Sequence, residues 1–517
     1  MKKSLRDFFA LPFKILFSRF TIALLALAIQ IAIIALIFFL FQKYLIYFIG
    51  GIGVLNILLT ILIINRNNLN ADFKTSWIIL ILLLPPFGTL FYLFCQNDIG
   101  TIILKKKLKN RQEENRKYLP QNEEILEELK KKNSREYAHA VYLNNVGHFP
   151  VYEACDFTYF PVGESWYKDL LTKLKNAKEY IFIEIFILAK GKMWESILNI
   201  LEAKVKEGVE VRVLYDGTCS LTLLPRTYPE QLKEKGIKCK VFNPIVPLIK
   251  TSYNNRDHRK IVIIDGEYAY TGGCNIADEY VNQKMRFGHW KDNMVCFKGN
   301  AVNSLCLLFL EMWNIDEKND FENYAFYKRE HKEKGEGYLI PFGDAPLDNE
   351  PIGKENYLHI LENAHEKVDI IMPYFVVDGD FFNTILHTAL KGLQVRLILP
   401  GIPDKKFVNY VAKTFYPDLL RVGVKIYEYT PGFTHAKMMI ADEDKALIGT
   451  INLDYRSFFL HFEDGVYLYK VKEIQKMSQD FLSTLQNCRE ITFKNFKEYS
   501  KVKLLIGRIL RLFGPLL

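Results

Sequence analysis

His258-Arg259-Lys260 is followed by Asp265, and His435-Ala436-Lys437 by Asp442, so H-x-K-x-x-x-x-D stands twice in the chain. Gly272 and Asn275 follow the first copy, and Gly449 and Asn452 the second. All five pairs are offset by the same 177 residues. A lone copy of such a pattern arises by chance. Two copies with a matching downstream Gly and Asn mark an internal duplication. A duplication that keeps His and Lys implies that both halves serve one site.

An imidazole beside an ammonium suits phosphate chemistry. The ammonium offers three donors to phosphoryl oxygens, and the imidazole attacks or shuttles protons near neutral pH. With two copies facing each other, one histidine can be the nucleophile on phosphorus and the other can protonate the leaving alkoxide. His258 is assigned as nucleophile and His435 as acid/base; the pseudo-symmetry leaves the reverse chemically open. Lys260, Lys437, Asn275 and Asn452 would stabilise charge on the non-bridging oxygens. This set requires no metal and no other cofactor. The eight cysteines form no C-x-x-C, and no H-E-x-x-H occurs.

These side chains need elements to hold them. Residues 259–264 are rich in β-branched residues and end at Asp265-Gly266, which reads as a buried strand closed by a turn. Residues 436–440 read the same way. Residues i and i+2 of a strand share a face, so His258 projects with Lys260 and His435 with Lys437. Asp265 and Asp442 have the opposite parity and are expected to hold the strand-end turns. Strand-like runs at 180–187 and 211–215 flank an amphipathic stretch at 193–207. Runs at 368–372 and 395–399 flank one at 381–391. This alternation predicts an α/β chain of two repeats, with mixed, mostly parallel, helix-covered sheets. Glu184 lies mid-strand as a possible site acid. Asp216 and Asp378 follow strand ends, where α/β ligands bind.

The two motifs resemble those of the phospholipase D superfamily, in which two HKD motifs form one site, and are most similar to the bacterial cardiolipin synthase branch. Asn255, Thr271-Gly272-Gly273, Glu279-Tyr280 and His289-Trp290-Lys291-Asp292 surround the first motif. Pro373-Tyr374-Phe375, Tyr427-Glu428-Tyr429, Phe433, Asn452-Leu453-Asp454-Tyr455-Arg456-Ser457 and Glu463 surround the second. The closing Phe513-Gly514-Pro515-Leu516-Leu517 is similar to a Ser-Pro-Leu-Leu ending common in that family. The resemblance implies duplicated phospholipase D-like domains with His258, Lys260, Asp265, His435, Lys437 and Asp442 as the catalytic motifs. It also implies that Asp292 and Glu463 each orient a catalytic histidine, the logic of a triad. The implied reaction is phosphatidyl transfer between two phosphatidylglycerols through a phosphatidyl-histidine, giving cardiolipin and glycerol. A phospholipase D-type hydrolase releasing phosphatidic acid is the alternative. A non-catalytic membrane scaffold disagrees with His, Lys and Asn intact in both copies. The chain departs from the family at His461 (Asn in many relatives), Thr450 (Ser) and Lys291 (Arg).

With 68 Lys and Arg against 59 Asp and Glu, the formal charge of +9 suits an anionic partner. Charge alone admits nucleic acid. The hydrophobic segments point instead to a membrane and to phosphatidylglycerol or other anionic phospholipids. Residues 21–41, 44–64 and 77–95 are long and apolar, the last carrying Pro85, Pro86 and Gly88. About twenty apolar residues span a bilayer, so a multi-pass cell-membrane protein is expected, with the third segment as a span or a re-entrant turn. Lys2, Lys3, Arg6, Lys14 and Arg19 favour an internal N-terminus. Lys105, Lys106, Lys107, Lys109 and Arg111 also favour the inside, so three spans and the charges disagree about the catalytic side. The expected organisation is a membrane region at 1–96, a charged connector at 97–145, a first repeat at 146–330 and a second at 331–517. Within the last, 501–517 is basic and amphipathic, suited to a membrane surface.

Overall fold

The computed structural model describes residues 28–36, 39, 45–67, 69–96, 99–115, 118–245, 254–315, 327–331, 335–347 and 350–516. They divide into an N-terminal helical unit ending at Ile99 and a larger unit beginning at Gly100.

In the N-terminal unit, Leu45–Ile64 is one helix. Its Ile46–Ile64 stretch is the one segment among the described residues that is long and apolar enough to cross a membrane. Most of its apolar side chains face outward. The predicted span 21–41 lies largely outside the described residues. The third segment, 77–95, expected as a span or a re-entrant turn, is two short helices. Helices Ala71–Leu83 and Phe87–Gln96, of 13 and 10 residues, are broken at Pro85 and Pro86, because proline has no N–H to give and clashes with the preceding turn. Neither piece reaches across a bilayer. Leu59, Ile63, Trp77, Ile81 and Tyr92 form this unit's core. Asn56, the polar interruption in the long helix, accepts from Thr89 Oγ1 at 2.6 Å and donates to the Ile81 carbonyl at 3.4 Å, as polar groups between apolar helices must.

The larger unit holds two sheets. In the first, β1 (Thr158–Phe160), β2 (Tyr180–Ile185), β3 (Glu210–Asp216), β4 (Lys238–Phe242), β5 (Lys260–Ile264), β6 (Tyr268–Gly272) and β7 (Met294–Phe297) lie in the order β1-β7-β6-β5-β2-β3-β4. In the second, the main strands are β8 (Tyr338–Asp344), β9 (Lys367–Ile371), β10 (Gln394–Pro400), β11 (Lys425–Tyr429), β12 (Met438–Ala441), β13 (Lys445–Gly449), β14 (His461–Tyr469) and β15 (Cys488–Ile491). Their order is β8-β14-β13-β12-β9-β10-β11-β15. The run β6-β5-β2-β3-β4 repeats as β13-β12-β9-β10-β11, so the duplication in sequence is a duplication of fold.

The expectation of mostly parallel sheets is corrected. Only β2-β3-β4 and β9-β10-β11 run parallel; nearly all the other main pairs are antiparallel. The reason lies in the motif strands. β5 and β12 turn back through tight loops into β6 and β13, and a tight loop joins only antiparallel strands. Between the sheets lies helix Val302–Trp313, buried at every residue and packed on β5, β6 and β8. Helix Ser134–Gly147 docks on the second repeat. The Tyr467 hydroxyl donates to buried Glu136 at 2.6 Å, and His139 Nε2 lies 3.0 Å from Asn356 Oδ1. Tyr152–Glu153 then pairs with Tyr338 and Leu339 of β8.

Asp265 and Asp442 sit at these hairpin turns. Both have left-handed backbone, φ 56° and 53°, which Asp tolerates better than most residues. The Asp265 carboxylate accepts backbone N–H groups from Lys178, Glu179 and Tyr180 at 2.7–2.9 Å. The Asp442 carboxylate accepts from His365, Glu366 and Lys367 at 2.7–3.0 Å. Each carboxylate clamps the motif hairpin to the start of the neighbouring strand. Hydrogen bonds to a charged acceptor contribute a net of about 1.5–3 kcal/mol each, toward the lower end where the donors are exposed. Asp265→Ala and Asp442→Ala are therefore each expected to lower unfolding free energy by about 2–4 kcal/mol, read from denaturant titration of the purified protein.

Candidate active site

The two repeats exchange strands at the motifs. Arg256–Asp257 pairs with the start of β14, at His461 and Phe462. His289–Lys291 of the first repeat pairs with Gly432–Thr434, just before the second motif. The crossing is close: a Cβ on Gly432 would stand 2.2 Å from the His289 carbonyl oxygen, so glycine is needed there. The backbone N–H of His258 then donates to the Phe462 carbonyl at 2.8 Å, and that of His435 to the Lys291 carbonyl at 2.7 Å.

This exchange places an acid from one repeat behind the histidine of the other. His258 Nδ1 is 2.7 Å from Glu463 Oε2, and His435 Nδ1 is 2.7 Å from Asp292 Oδ2. All four side chains are buried. A carboxylate at Nδ1 fixes the proton there and leaves Nε2 with its lone pair. Lys437 Nζ also lies 2.9 Å from His435 Nδ1, but a ring nitrogen that donates to a carboxylate cannot also accept. Lys437 donates instead to the His435 carbonyl, as Lys260 does to that of His258. The acids are themselves held. Thr450 Oγ1 donates to Glu463 Oε2 at 2.5 Å, and Trp290 Nε1 to Asp292 Oδ2 at 3.4 Å.

The charges act across the repeats. Burial, reinforced by Lys260 and Lys437, holds His258 well below the ordinary imidazole range. Burial and then Lys437 bring His435 down to about 4. Burial also lowers the ammonium groups, Lys260 to about 8 and Lys437 to about 7. Burial alone would raise the Asp292 carboxyl, but His435 and Lys437 outweigh it and keep the group below its usual value. The resting site thus holds two neutral imidazoles, two carboxylates and two lysines near the point of losing their protons. An anionic phosphate would restore the lysines' charge and supply what this desolvated cluster lacks.

The other predicted residues fall in several places. Asn275 lies beside the site with its amide already engaged, accepting from Ile187 N–H at 2.9 Å and donating to the Tyr280 hydroxyl at 2.8 Å. Asn452 is buried with Oδ1 unpartnered. Asp265 and Asp442, grouped with the catalytic residues on resemblance, are not in the cluster; they sit at the far ends of the motif strands. Glu184 is fully buried next to Asp257, and burial keeps it protonated. Asp216 accepts from the backbone of Thr218 and Asp257. Asp378 caps helix Gly379–Leu390 and pairs with Lys354 at 2.6 Å. Lys291 reaches Asp480 of the second repeat at 2.7 Å. His461 stacks near His258, with ring centroids 5.4 Å apart, and accepts from Arg456 Nε at 3.2 Å.

Sequence reasoning missed Asp464. Its carboxyl, raised to about 6 by burial, accepts from the Lys260 backbone N–H and from Thr271 Oγ1. Aromatic walls stand at the histidines, Phe186 on His258 and Tyr280 and Trp290 on His435, at centroid distances of 4.8, 5.4 and 5.4 Å; Tyr280 and Trp290 stood among the residues around the first motif, without a role. The signal for Asp464 was its place directly after Glu463, as Asn293 follows Asp292.

Comparisons with known proteins agree with this geometry. A family model described as "Cardiolipin synthase, PLD-like domain" matches residues 170–302 and 357–485, and one described as "Phospholipase_D-nuclease N-terminal" matches 54–96. An uncharacterized protein of Streptococcus mutans is 44% identical over 86% of this chain and 96% of its own. A cardiolipin synthase of Alkalihalophilus pseudofirmus is 33% identical over 86% of this chain and 88% of its own. Cardiolipin synthase 2 of Bacillus anthracis is 38% identical over 69% of each chain. The solved phosphatidylserine synthase of Haemophilus influenzae has the same fold, with a TM-score of 0.56 at 15% identity over 74% of this chain and 98% of that one.

The crossed pairs set two expectations. Asp292→Asn and Glu463→Gln keep the shape but release the Nδ1 proton, so each should lower kcat roughly 10³–10⁴-fold with little change in lipid binding. Both imidazoles have depressed values, so the acid limb of the kcat/KM profile should lie below the ordinary imidazole range of about 6.5, with His435 taking up a proton in the free site only near pH 4. Lys437 loses its charge as pH rises through about 7, so KM should climb on the alkaline side. Lys437→Arg, always charged, should move that climb up toward pH 8, where Lys260 loses its charge.

Proposed function

This chain belongs to the phospholipase D-like cardiolipin synthase family, and we propose that it is a membrane-anchored phosphatidyltransferase that joins two phosphatidylglycerols into cardiolipin with release of glycerol. The observation that carries the reading is the pair of crossed histidine–carboxylate contacts, with two lysines, built from both repeats. It is a site with two neutral imidazoles facing one anionic centre. The N-terminal helices, multi-pass in this reading, hold it at the cell membrane, where both lipids are concentrated. Asn275 and Asn452 bind phosphate oxygens once lipid displaces their resting arrangement.

His258 Nε2 attacks the phosphorus of the first lipid. His435 Nε2 takes up a proton from solvent as the anionic phosphate enters and offsets the lysines' charge; as the bond to the glycerol headgroup oxygen breaks, that oxygen takes this proton and glycerol leaves. The imidazolium that develops on His258 is stabilised by Glu463, as Asp292 stabilises that on His435. A headgroup hydroxyl of the second phosphatidylglycerol then gives its proton to His435 and attacks phosphorus. The P–N bond breaks and His258 is restored. Lys260 and Lys437 hold the non-bridging oxygens throughout. The aromatic walls limit water at the phosphatidyl-histidine, and water there would divert the product to phosphatidic acid.

The test is purified full-length protein with phosphatidylglycerol in EDTA, lipids resolved by mass. Cardiolipin and glycerol in equal amounts are expected from wild type, with a loss of at least about 10⁴-fold in His258→Ala and His435→Ala. Phosphatidic acid as the main product would overturn the transferase reading.

A further inference from the structure

Helix Lys501–Arg511 buries only Gly507. A Cβ there would stand 2.2 Å from the Tyr410 carbonyl oxygen, so this glycine lets the helix lie directly across helix Lys406–Lys413. Arg511 completes the seat, its guanidinium 3.8 Å from the Phe415 ring centroid. The opposite face is apolar and exposed: Val502 at 67%, Leu505 at 59%, Ile509 at 51% and Leu512 at 48%. Those positions are spaced by three, four and three residues, so they form one stripe. Lys501, Lys503 and Arg508 are exposed around it. An isolated surface leucine needs no explanation, but a continuous apolar stripe does.

The helix beneath the stripe leads back to the site. Helix Lys406–Lys413 follows the carboxyl end of β10 and exposes Phe407, at 64%. Lys405, just before it, has its charge near enough to act on His258. The corresponding end of the first repeat, after β3, also presents exposed leucines, Leu221 and Leu223. The ends of the parallel strands that surround the histidines are thus rimmed by apolar side chains in both halves.

We propose that helix Lys501–Arg511, with Phe407 beside it, is an interfacial element. It inserts its apolar stripe into the headgroup–acyl boundary of an anionic bilayer and leads lipid phosphate to the histidine pair. The occupant is a lipid surface because basic side chains flank the apolar ones, a pattern that attracts anionic headgroups and repels a second copy of the same helix. The proposal rests on the lipid-phosphate reading of the site. It adds that the catalytic unit has its own membrane contact, separate from the N-terminal helices.

Two measurements test it, both on the full chain in nanodiscs of phosphatidylglycerol and phosphatidylcholine. Val502→Ser/Leu505→Ser/Ile509→Ser should lower turnover of bilayer phosphatidylglycerol at least tenfold. Turnover of a short-chain, monomeric phosphatidylglycerol should stay within twofold of wild type. Unchanged bilayer turnover overturns the proposal, as does equal loss on both substrates, which would make the helix a support for the core. The second measurement needs no turnover, so it separates this proposal from the assignment of the reaction. Leu505→Trp should add fluorescence that brominated-chain lipids quench beyond the wild-type signal, and an unquenched added signal overturns the insertion.

Discussion

Each motif histidine is paired with a carboxylate from the other repeat, and the rest of the molecule follows from that constraint. Neither half can form a finished acid–base pair alone. The duplicated sheets must dock so that Glu463 reaches His258 and Asp292 reaches His435, both at 2.7 Å. The short parallel pairings of Arg256–Asp257 and Gly432–Thr434 with strands of the opposite repeat set that docking through backbone hydrogen bonds. Gly432 permits the close approach. Helix Val302–Trp313, buried throughout, fills the space between the halves. Shifting one repeat by a single residue would face each imidazole with the wrong side of a strand, because side-chain direction alternates.

Burial gives this arrangement its chemical character. Two lysines in water would stay charged and hydrated. Within the cluster their protons are held weakly, and the histidines remain neutral. The resting site is therefore short of negative charge, and a phosphodiester supplies it. The buried acids beneath, Glu184, Asp257 and Asp464, share this desolvation and are raised toward the protonated form. Raised in this way, they do not cancel the charge of the two lysines.

Local physics made much of the fold legible. The β-branched runs became β5 and β12, the period-two rule placed His and Lys on one face, and Asp265-Gly266 became a turn. The parity argument separated Asp265 and Asp442 from the reacting groups, and each is engaged by three backbone N–H groups. Strand direction was misjudged because strand–helix–strand order describes only part of each repeat; the hairpins carrying the motifs add antiparallel neighbours. The break in the segment at 77–95 was legible in Pro85 and Pro86, which interrupt the helix.

The sequence by itself determined the duplication, the pairing of His with Lys in each half, and the suitability of that set for phosphate. These depend on residue type and on spacings of a few residues. Only the tertiary structure decided which acid serves which histidine, that Asn275 is already occupied by Ile187 and Tyr280, and that the C-terminal helix turns its apolar stripe outward. The acid and histidine of each pair lie 205 and 143 residues apart. No periodicity spans such distances, so the choice belongs to the docking of the two sheets.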